Sequence, residues 1–484
     1  MSYQRVSRRG VSMRRTRVLA TVGPASDSTE RLRALLAAGA DAFRLNLSHG
    51  SPTYHREVLR RVQAVVRRGG GEVPVVADLP GPKLRLGELS PSPLRLEAGR
   101  RWVFDRDPVV GDRNRVPVEL PSFSEGIHRG DPVLLGDGSV ELRVLKTSPS
   151  EIVTAIVHGG LVSSHAGLFL PHARLRAKAF ADTDHDLAAG AVAGGADFLA
   201  LSFVRSPRDV LEARRWLVRE HPEPPVGLIA KIERSEALRE IDGILAASDG
   251  VMVARGDLGI EVPLERLALE QKRLVRRANL SGKFAIVATQ MLLSMLSSPR
   301  PTRAEATDVA NAVLDGADVL MLSEESAVGE YPAESVRWLA RIAAATEPAF
   351  DPQGLRHQRA STAANDPDLA VARAAVGLAE GVGARLIATP THSGRTARLV
   401  AALHPACPVV ALSSSSSVRR QLRLFGGVIT RPAPVHSDLA RLSEATRRLP
   451  VDLGLTPGGV AVLTAGYPLE GRPTNLLTLV DLPA

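Results

Sequence analysis

The sequence predicts an α/β protein: a closed (β/α)8 TIM barrel, an inserted small all-β lid domain and a carboxyl-terminal open α/β domain. Three observations predict it. Eight apolar runs read as strands, at 17–22, 41–47, 73–79, 197–203, 226–232, 250–255, 284–290 and 318–323. Segments of helical spacing separate them, among them Thr29–Ala38, Pro207–Glu220, Leu264–Asn279 and Arg303–Leu314. The alternation breaks once, at about 88–178, and a second alternation starts near Asp368.

The 484 residues exceed what one core usually supports, so two or three domains are expected. Residues 1–15 are basic without an apolar segment and read as a disordered tail, or as an over-long start before Met13. The barrel is expected at 16–87 and 179–350. Between them, 88–178 is rich in Pro and Gly, with β-prone runs at Val133–Leu135, Val140–Val144 and Ile152–Val157 and a hairpin signal, GDGS, at Gly136–Ser139. Following the third strand, this insertion lies on the catalytic side and is placed to act as a lid. A helix is expected at Pro332–Thr346, then a polar, aperiodic linker at 351–367 and the last domain at 368–484.

A formal charge of +9 suits anionic ligands such as phosphates. Aromatic residues make up only 4% of the chain, and neither a stacking-rich basic segment nor a zinc spacing occurs, which argues against a nucleic-acid partner. The single cysteine, Cys407, excludes an intramolecular disulfide and points to a reducing compartment, the cytoplasm. No run of about 18 apolar residues occurs, so no membrane-spanning helix is expected.

Chemistry is expected where the apolar runs stop on charge, since barrel active sites lie at the carboxyl ends of the strands. The densest stretch is Leu228–Glu261: Lys231 and Glu233 end one run, and Arg255, Gly256 and Asp257 end the next. Two carboxylates and an ammonium on neighbouring strand ends make a candidate metal site facing a phosphate. Only six of the 61 basic residues are Lys, so a Lys here suggests a need for a compact point charge rather than the planar Arg fork. Other strand ends carry Arg44, Asn46 and Ser48, then Asp78, Thr289 and Gln290, and Ser323 and Glu325. In the last domain THSGRT sets Thr391, Ser393, Gly394, Arg395 and Thr396 before a helix, a pattern suited to an anionic effector. The run Ser413–Ser417 reads equally as a second wall of that pocket or as low-complexity loop.

From Thr16 to about Val480 the chain resembles the pyruvate kinase family. The strings that carry the resemblance are TRVLATVGPAS from Thr16, FRLNLSHG from Phe43, LIAKIE from Leu228, DGVMVARGDLGIEVP from Asp249, ATQMLLSM from Ala288 and PRPTRAEATDVANAVLDGADVLMLSEES from Pro299. The resemblance implies a glycolytic phosphotransferase that moves the phosphoryl group of phosphoenolpyruvate to ADP, giving pyruvate and ATP, usually as a homotetramer. By that resemblance Glu233 and Asp257 hold Mg²⁺ or Mn²⁺, and Lys231 contacts the transferring phosphoryl group and the enolate oxygen. Gly256, Asp257 and Thr289 hold the substrate carboxylate, Arg44 binds the phosphoryl oxygens, Arg85 helps to position the cluster beside it, and Ser323 lies near the enolate. Asn46, Ser48 and Asp78 line a monovalent-cation region.

Three departures stand out. Ala166 replaces a lysine near the nucleotide phosphates, and MLSEES puts Glu324 and Ser326 where MLSGET is usual. Leu79, Pro80 and Lys83 stand where potassium-dependent members carry Thr, Lys and Glu, which implies that potassium is not required. Two alternatives remain open at the level of sequence: a metal-dependent lyase or decarboxylase of the pyruvate enolate, and a catalytically weak regulatory paralogue.

Overall fold

A computed structural model describes residues 14–68, 72–82, 84–120, 126–136, 138–171, 178–362, 366–433, 438–466 and 474–483. Lys83, Asp137 of the GDGS turn, and tail residues 1–13 lie outside the described residues.

The chain begins the barrel with β1 (Arg17–Val22), β2 (Ala42–Asn46) and β3 (Val75–Asp78). The insertion contributes β4 (Leu94–Leu96), β5 (Arg101–Asp105), β6 (Arg115–Pro117), β7 (Pro132–Leu135), β8 (Val140–Thr147), β9 (Glu151–His158), β10 (Gly160–Val162) and β11 (Leu168–Phe169). The barrel resumes with β12 (Phe198–Leu201), β13 (Gly227–Ile232), β14 (Gly250–Ala254), β15 (Phe284–Ala288) and β16 (Val319–Leu322). These eight barrel strands close in the order β1-β2-β3-β12-β13-β14-β15-β16, all parallel, with β16 returning to β1 through Arg17 opposite Val319.

Buried on both faces, the strands read as largely apolar runs. One set of side chains, including Val18, Ala20 and Val253, packs with the surrounding helices, and the alternate set, including Leu19, Ile229, Met252, Ile286 and Met321, forms a second core. Phe198 and Phe284 meet edge to face with centroids 5.5 Å apart in that second core. Gly227 and Gly250 make room for them, since a Cβ would come within 2.4 Å of the Phe198 ring at one and 2.3 Å of the Phe284 ring at the other.

In the insertion, a six-stranded sheet ordered β11-β7-β8-β9-β5-β6 and a two-stranded β10-β4 ribbon enclose a separate core around Trp102, Phe104 and Leu142. The chain leaves the barrel near Gly81 and returns near Ala181. Both backbone amides donate to one buried carboxylate, Asp184, at 3.3 and 3.0 Å.

The last domain carries β17 (Ile387–Pro390), β18 (Val409–Ser413), β19 (Val428–Pro432), β20 (Val460–Ala465) and β21 (Leu476–Asp481) in the order β19-β18-β17-β20-β21, parallel except at β21. It docks at the amino-terminal ends of the barrel strands. Phe425 meets Phe284 edge to face at 5.2 Å, Arg420 pairs with Asp197 at 2.7 Å, Arg419 pairs with Glu72, and the Gln421 amide donates to the Pro225 carbonyl at 2.7 Å.

Two segments differ from the sequence reading. Where an aperiodic linker was expected, a helix spans Gln353–Thr362. Polar contacts stand in for the missing apolar stripe: Arg356 donates to the carbonyls of Leu403 and His404 at 2.8 and 2.6 Å and pairs with Glu380 at 2.8 Å. Arg14 and Arg15, assigned to the disordered tail, are anchored. Arg14 pairs with Asp41 at 2.7 Å, and the Arg15 amide donates to Glu347 at 2.9 Å.

Candidate active site

At the carboxyl ends of β2, β3, β12 and β13 the side chains converge on one buried carboxylate. Asp78, 1% exposed, takes Arg44 on Oδ2 at 2.6 Å and Lys231 on Oδ1 at 3.1 Å. Arg44 also donates to the Thr21 hydroxyl at 3.0 Å, which fixes its plane against β1. Lys231 continues to Glu233 Oε1 at 2.9 Å and to the Ser202 hydroxyl at 2.7 Å, and that hydroxyl donates to the Leu79 carbonyl at 2.7 Å. The second oxygen of Glu233 accepts from the Phe203 amide at 2.7 Å. Phe203 holds a left-handed φ of 55°, a conformation that costs a non-glycine residue energy and recurs at functional sites.

The electrostatics of this group follow from burial and proximity. Burial pushes the Asp78 carboxyl up, yet Arg44 and Lys231 outweigh it and hold it below the usual carboxylate range. Burial opposes the Lys231 charge, but Asp78 and Glu233 raise its pKa well above that of an ordinary lysine. Glu233 is raised, by burial first and by the nearby charge of Asp257, with Lys231 pulling the other way.

A buried carboxylate with another carboxylate beside it is an arrangement that a cation reverses, and hard oxygens suit a divalent one. Among the described residues no three or more His, Cys, Asp or Glu side chains converge to hold a metal. Magnesium needs no such cage, since it is commonly bound by one or two carboxylates with substrate oxygens and water completing its shell. Glu233 and Asp257 therefore fit it.

The neighbouring wall comes from β14 and β15. A short helix, Arg255–Glu261, follows β14 directly and places Gly256 and Asp257 in its first turn. Thr289 adopts a left-handed φ of 70° after β15. Its hydroxyl accepts from the Gly256 amide at 2.8 Å and donates to the Ala288 carbonyl at 2.6 Å. Arg255 braces this turn by donating to the Thr289 carbonyl at 2.7 Å while pairing with Asp308 at 2.7 Å. The Gly256 amide, expected to face a substrate carboxylate, is thus directed at the Thr289 hydroxyl. The Ser323 amide donates to Glu325 at 2.7 Å, and the buried Ser323 hydroxyl has no hydrogen-bond partner among the described residues.

Other residues singled out in the sequence lie elsewhere. Asn46 is the strand neighbour of Asp78, but its side-chain oxygen accepts from the Ser48 amide at 3.2 Å, closing a local turn. Arg85 belongs to the lid base, bridging Gly167 and donating to the His165 carbonyl at 3.1 Å. In THSGRT, Gly394 takes φ 82° and its amide donates to the Thr391 hydroxyl at 2.8 Å. Arg395, expected to face an anion, pairs with Asp368 at 2.6 Å and with Asp366 at 3.7 Å. Thr396 meets Thr474 at 2.5 Å, and the amide of Arg395 donates to the Ser393 hydroxyl at 3.4 Å. Ser202 and Phe203 were missed by the sequence reading, although Ser202 ends its apolar run as Asp78 ends its own.

Comparison with known proteins gives a consistent family. Residues 13–336 match the family described as pyruvate kinase, barrel domain, and residues 369–480 match pyruvate kinase, alpha/beta domain. The pyruvate kinase of Geobacillus stearothermophilus is 37% identical over 468 residues, covering 96% of this chain and 80% of that one. That of Agrobacterium vitis is 39% identical over 481 residues, covering 97% of each. A crystal structure of a pyruvate kinase from Cryptosporidium parvum superposes with a TM-score of 0.91 at 33% identity, covering 97% of this chain and 96% of that one.

Proposed function

The chain belongs to the pyruvate kinase family, and from that premise we propose that it transfers the phosphoryl group of phosphoenolpyruvate to ADP, yielding pyruvate and ATP. The observation that carries the reading is Lys231, a fully charged ammonium buried between Asp78 and Glu233 at the mouth of the barrel.

An oxygen of the ADP β-phosphate attacks phosphorus, the bond from phosphorus to the enol oxygen breaks, and the enolate left behind takes a proton at its methylene carbon. Charge stabilisation and positioning do most of this work. Lys231 faces the phosphoryl group and the enolate oxygen, and Arg44 faces the phosphoryl oxygens, each held by Asp78. Thr289, with the amides of Gly256 and Asp257, takes the substrate carboxylate. The Ser323 hydroxyl, without a hydrogen-bond partner among the described residues, lies on the route by which a proton reaches the enolate. Glu233 and Asp257 hold Mg²⁺ or Mn²⁺, which when bound supplies positive charge to the phosphoryl oxygens. The lid excludes water from the transferring group. Asp78 anchors Arg44 and Lys231 in this centre, Asn46 and Ser48 close a turn at the neighbouring strand end, Arg85 stands at the base of the lid, and Lys83 replaces a potassium ion.

The same reading makes the protein a glycolytic, cytoplasmic homotetramer with an anionic effector at THSGRT. The lyase and regulatory alternatives draw no support, because the relatives named pyruvate kinase match along nearly the whole chain. The test is direct: purified protein with phosphoenolpyruvate, ADP and Mg²⁺ forms pyruvate and ATP in equal amounts. Absence of pyruvate under these conditions overturns the reading.

A further inference from the structure

The two carboxylates read as metal ligands sit on different strand ends, Glu233 after β13 and Asp257 after β14, so their separation depends on whatever ties those ends together. Arg234 follows Glu233 directly, and Glu261 lies one helical turn beyond Asp257, on the same face of the helix Arg255–Glu261. Arg234 Nη1 meets Glu261 Oε1 at 2.8 Å, with the two side chains 15% and 2% exposed. The other oxygen of Glu261 accepts from the Ser235 amide at 3.5 Å, and Arg234 also reaches Glu236 at 3.4 Å. The clamp therefore grips both the side chain and the backbone just past Glu233.

We propose that Arg234 and Glu261 are positioning residues that set the spacing of Glu233 and Asp257 and thereby the affinity of the site for a divalent cation. The inference rests on the reading of Glu233 and Asp257 as the metal ligands. Metal ligands need supporting partners to hold a productive geometry, and removing such partners elsewhere weakens metal binding by roughly 10- to 100-fold. A pair that served only to stabilise the fold would leave cation affinity unmoved once the protein had folded. Burial, against the pull of Arg234, pushes the Glu261 carboxyl up to about 7, so the clamp is best examined above neutrality.

The experiment titrates the full chain with Mn²⁺ at pH 8 and reads free Mn²⁺ by electron paramagnetic resonance, with no turnover required. Glu261→Gln and Arg234→Met are each expected to weaken Mn²⁺ binding by roughly 10-fold or more. Because the two act as a unit, the double variant is expected to be no weaker than the weaker single variant. In steady-state assays the change should fall on the Mn²⁺ concentration for half-maximal rate more than on kcat. Should Glu261→Gln fail to fold, Glu261→Asp keeps the charge with a shorter reach, and a several-fold loss of affinity is expected from it. Folded variants that bind Mn²⁺ within twofold of the parent overturn the proposal. Glu233→Gln and Asp257→Asn serve as controls: if they lose Mn²⁺ while the clamp variants keep it, the clamp alone is wrong. If the controls also keep it, the ligand assignment is wrong and the clamp falls with it.

Discussion

Asp78 and Lys231 stand on strands that are not neighbours, yet their charged atoms lie 3.1 Å apart. The strand between them, β12, contributes Ser202, whose hydroxyl accepts from Lys231 and donates to the backbone after Asp78. The ammonium is thus fixed from three strands before any substrate arrives. Preorganisation of this kind makes a charge useful in a transition state, because no reorientation is needed during the reaction.

Replacing Lys231 with Met should lower turnover by a factor on the order of 100 to 1,000, the range seen when one stabilising donor is removed from a preorganised site. Arg44 still neutralises Asp78 in the variant, so the circular dichroism spectrum should be retained. A variant with turnover within threefold of the parent would remove Lys231 from the reaction.

Asp318 provides a pH dependence of stability. Its carboxylate is fully buried where the last domain meets the barrel, accepting from the amides of Gly426 and Ala285 at 2.9 and 3.0 Å, and burial pushes its pKa up to about 7. With the folded value above the unfolded one, the folded protein binds the extra proton between about pH 4 and 7. The contribution of this group is fully present below pH 4 and lost as the pH rises through 7. Against Asp318→Asn, which does not titrate, the parent should therefore lose at least about 1.4 kcal/mol between pH 5 and pH 8, the worth of one pKa unit. Parallel denaturation curves for the two proteins at both pH values would contradict this.

Potassium dependence tests Lys83. In buffer free of sodium and potassium, with a bulky organic cation as counterion, the parent should be fully active and show no rise when potassium chloride is titrated at constant ionic strength. Lys83→Glu should then become potassium-activated. A rise of roughly tenfold in the parent, worth about 1.4 kcal/mol, would show that the lysine does not replace the ion.

The contact between Arg395 and Asp368 predicts a partly silenced effector loop. Freeing the guanidinium with Asp368→Asn should tighten binding of a sugar phosphate, measured calorimetrically, whereas Arg395→Ala should weaken it and leave basal activity alone. The opposite order of affinities would exclude Arg395 from the site.

The eight barrel strands were legible because burial on both faces makes each one a largely apolar run with polar residues gathered at or near its carboxyl end. Lys231, Glu233 and Asp257 were legible for the same reason: they lie within the first few charged positions after such runs. What the sequence could not supply is which distant charge each one meets. Nothing local tells that Asp368, 27 residues before Arg395, occupies its guanidinium, or that Arg356 fastens a helix without an apolar stripe. Thr289 shows the same limit. A β-branched residue is a poor candidate for left-handed backbone, and its φ of 70° is held from outside by Arg255 and Gly256.

The lid joins the barrel through two chain segments, and Asp184 receives an amide from each of them. One side chain is therefore the pin of a two-leaf hinge. Pinned there, the outgoing and returning segments of the insertion are held side by side at one carboxylate. A Cβ added at Gly138, in the turn between β7 and β8, would come 3.7 Å from Ile260 Cγ1 of the helix that carries Asp257 and Glu261, so this turn faces that helix. The base of the insertion thus meets the barrel at Asp184, while its far turn meets the helix Arg255–Glu261, so the inserted domain touches the barrel's mouth at both of its ends.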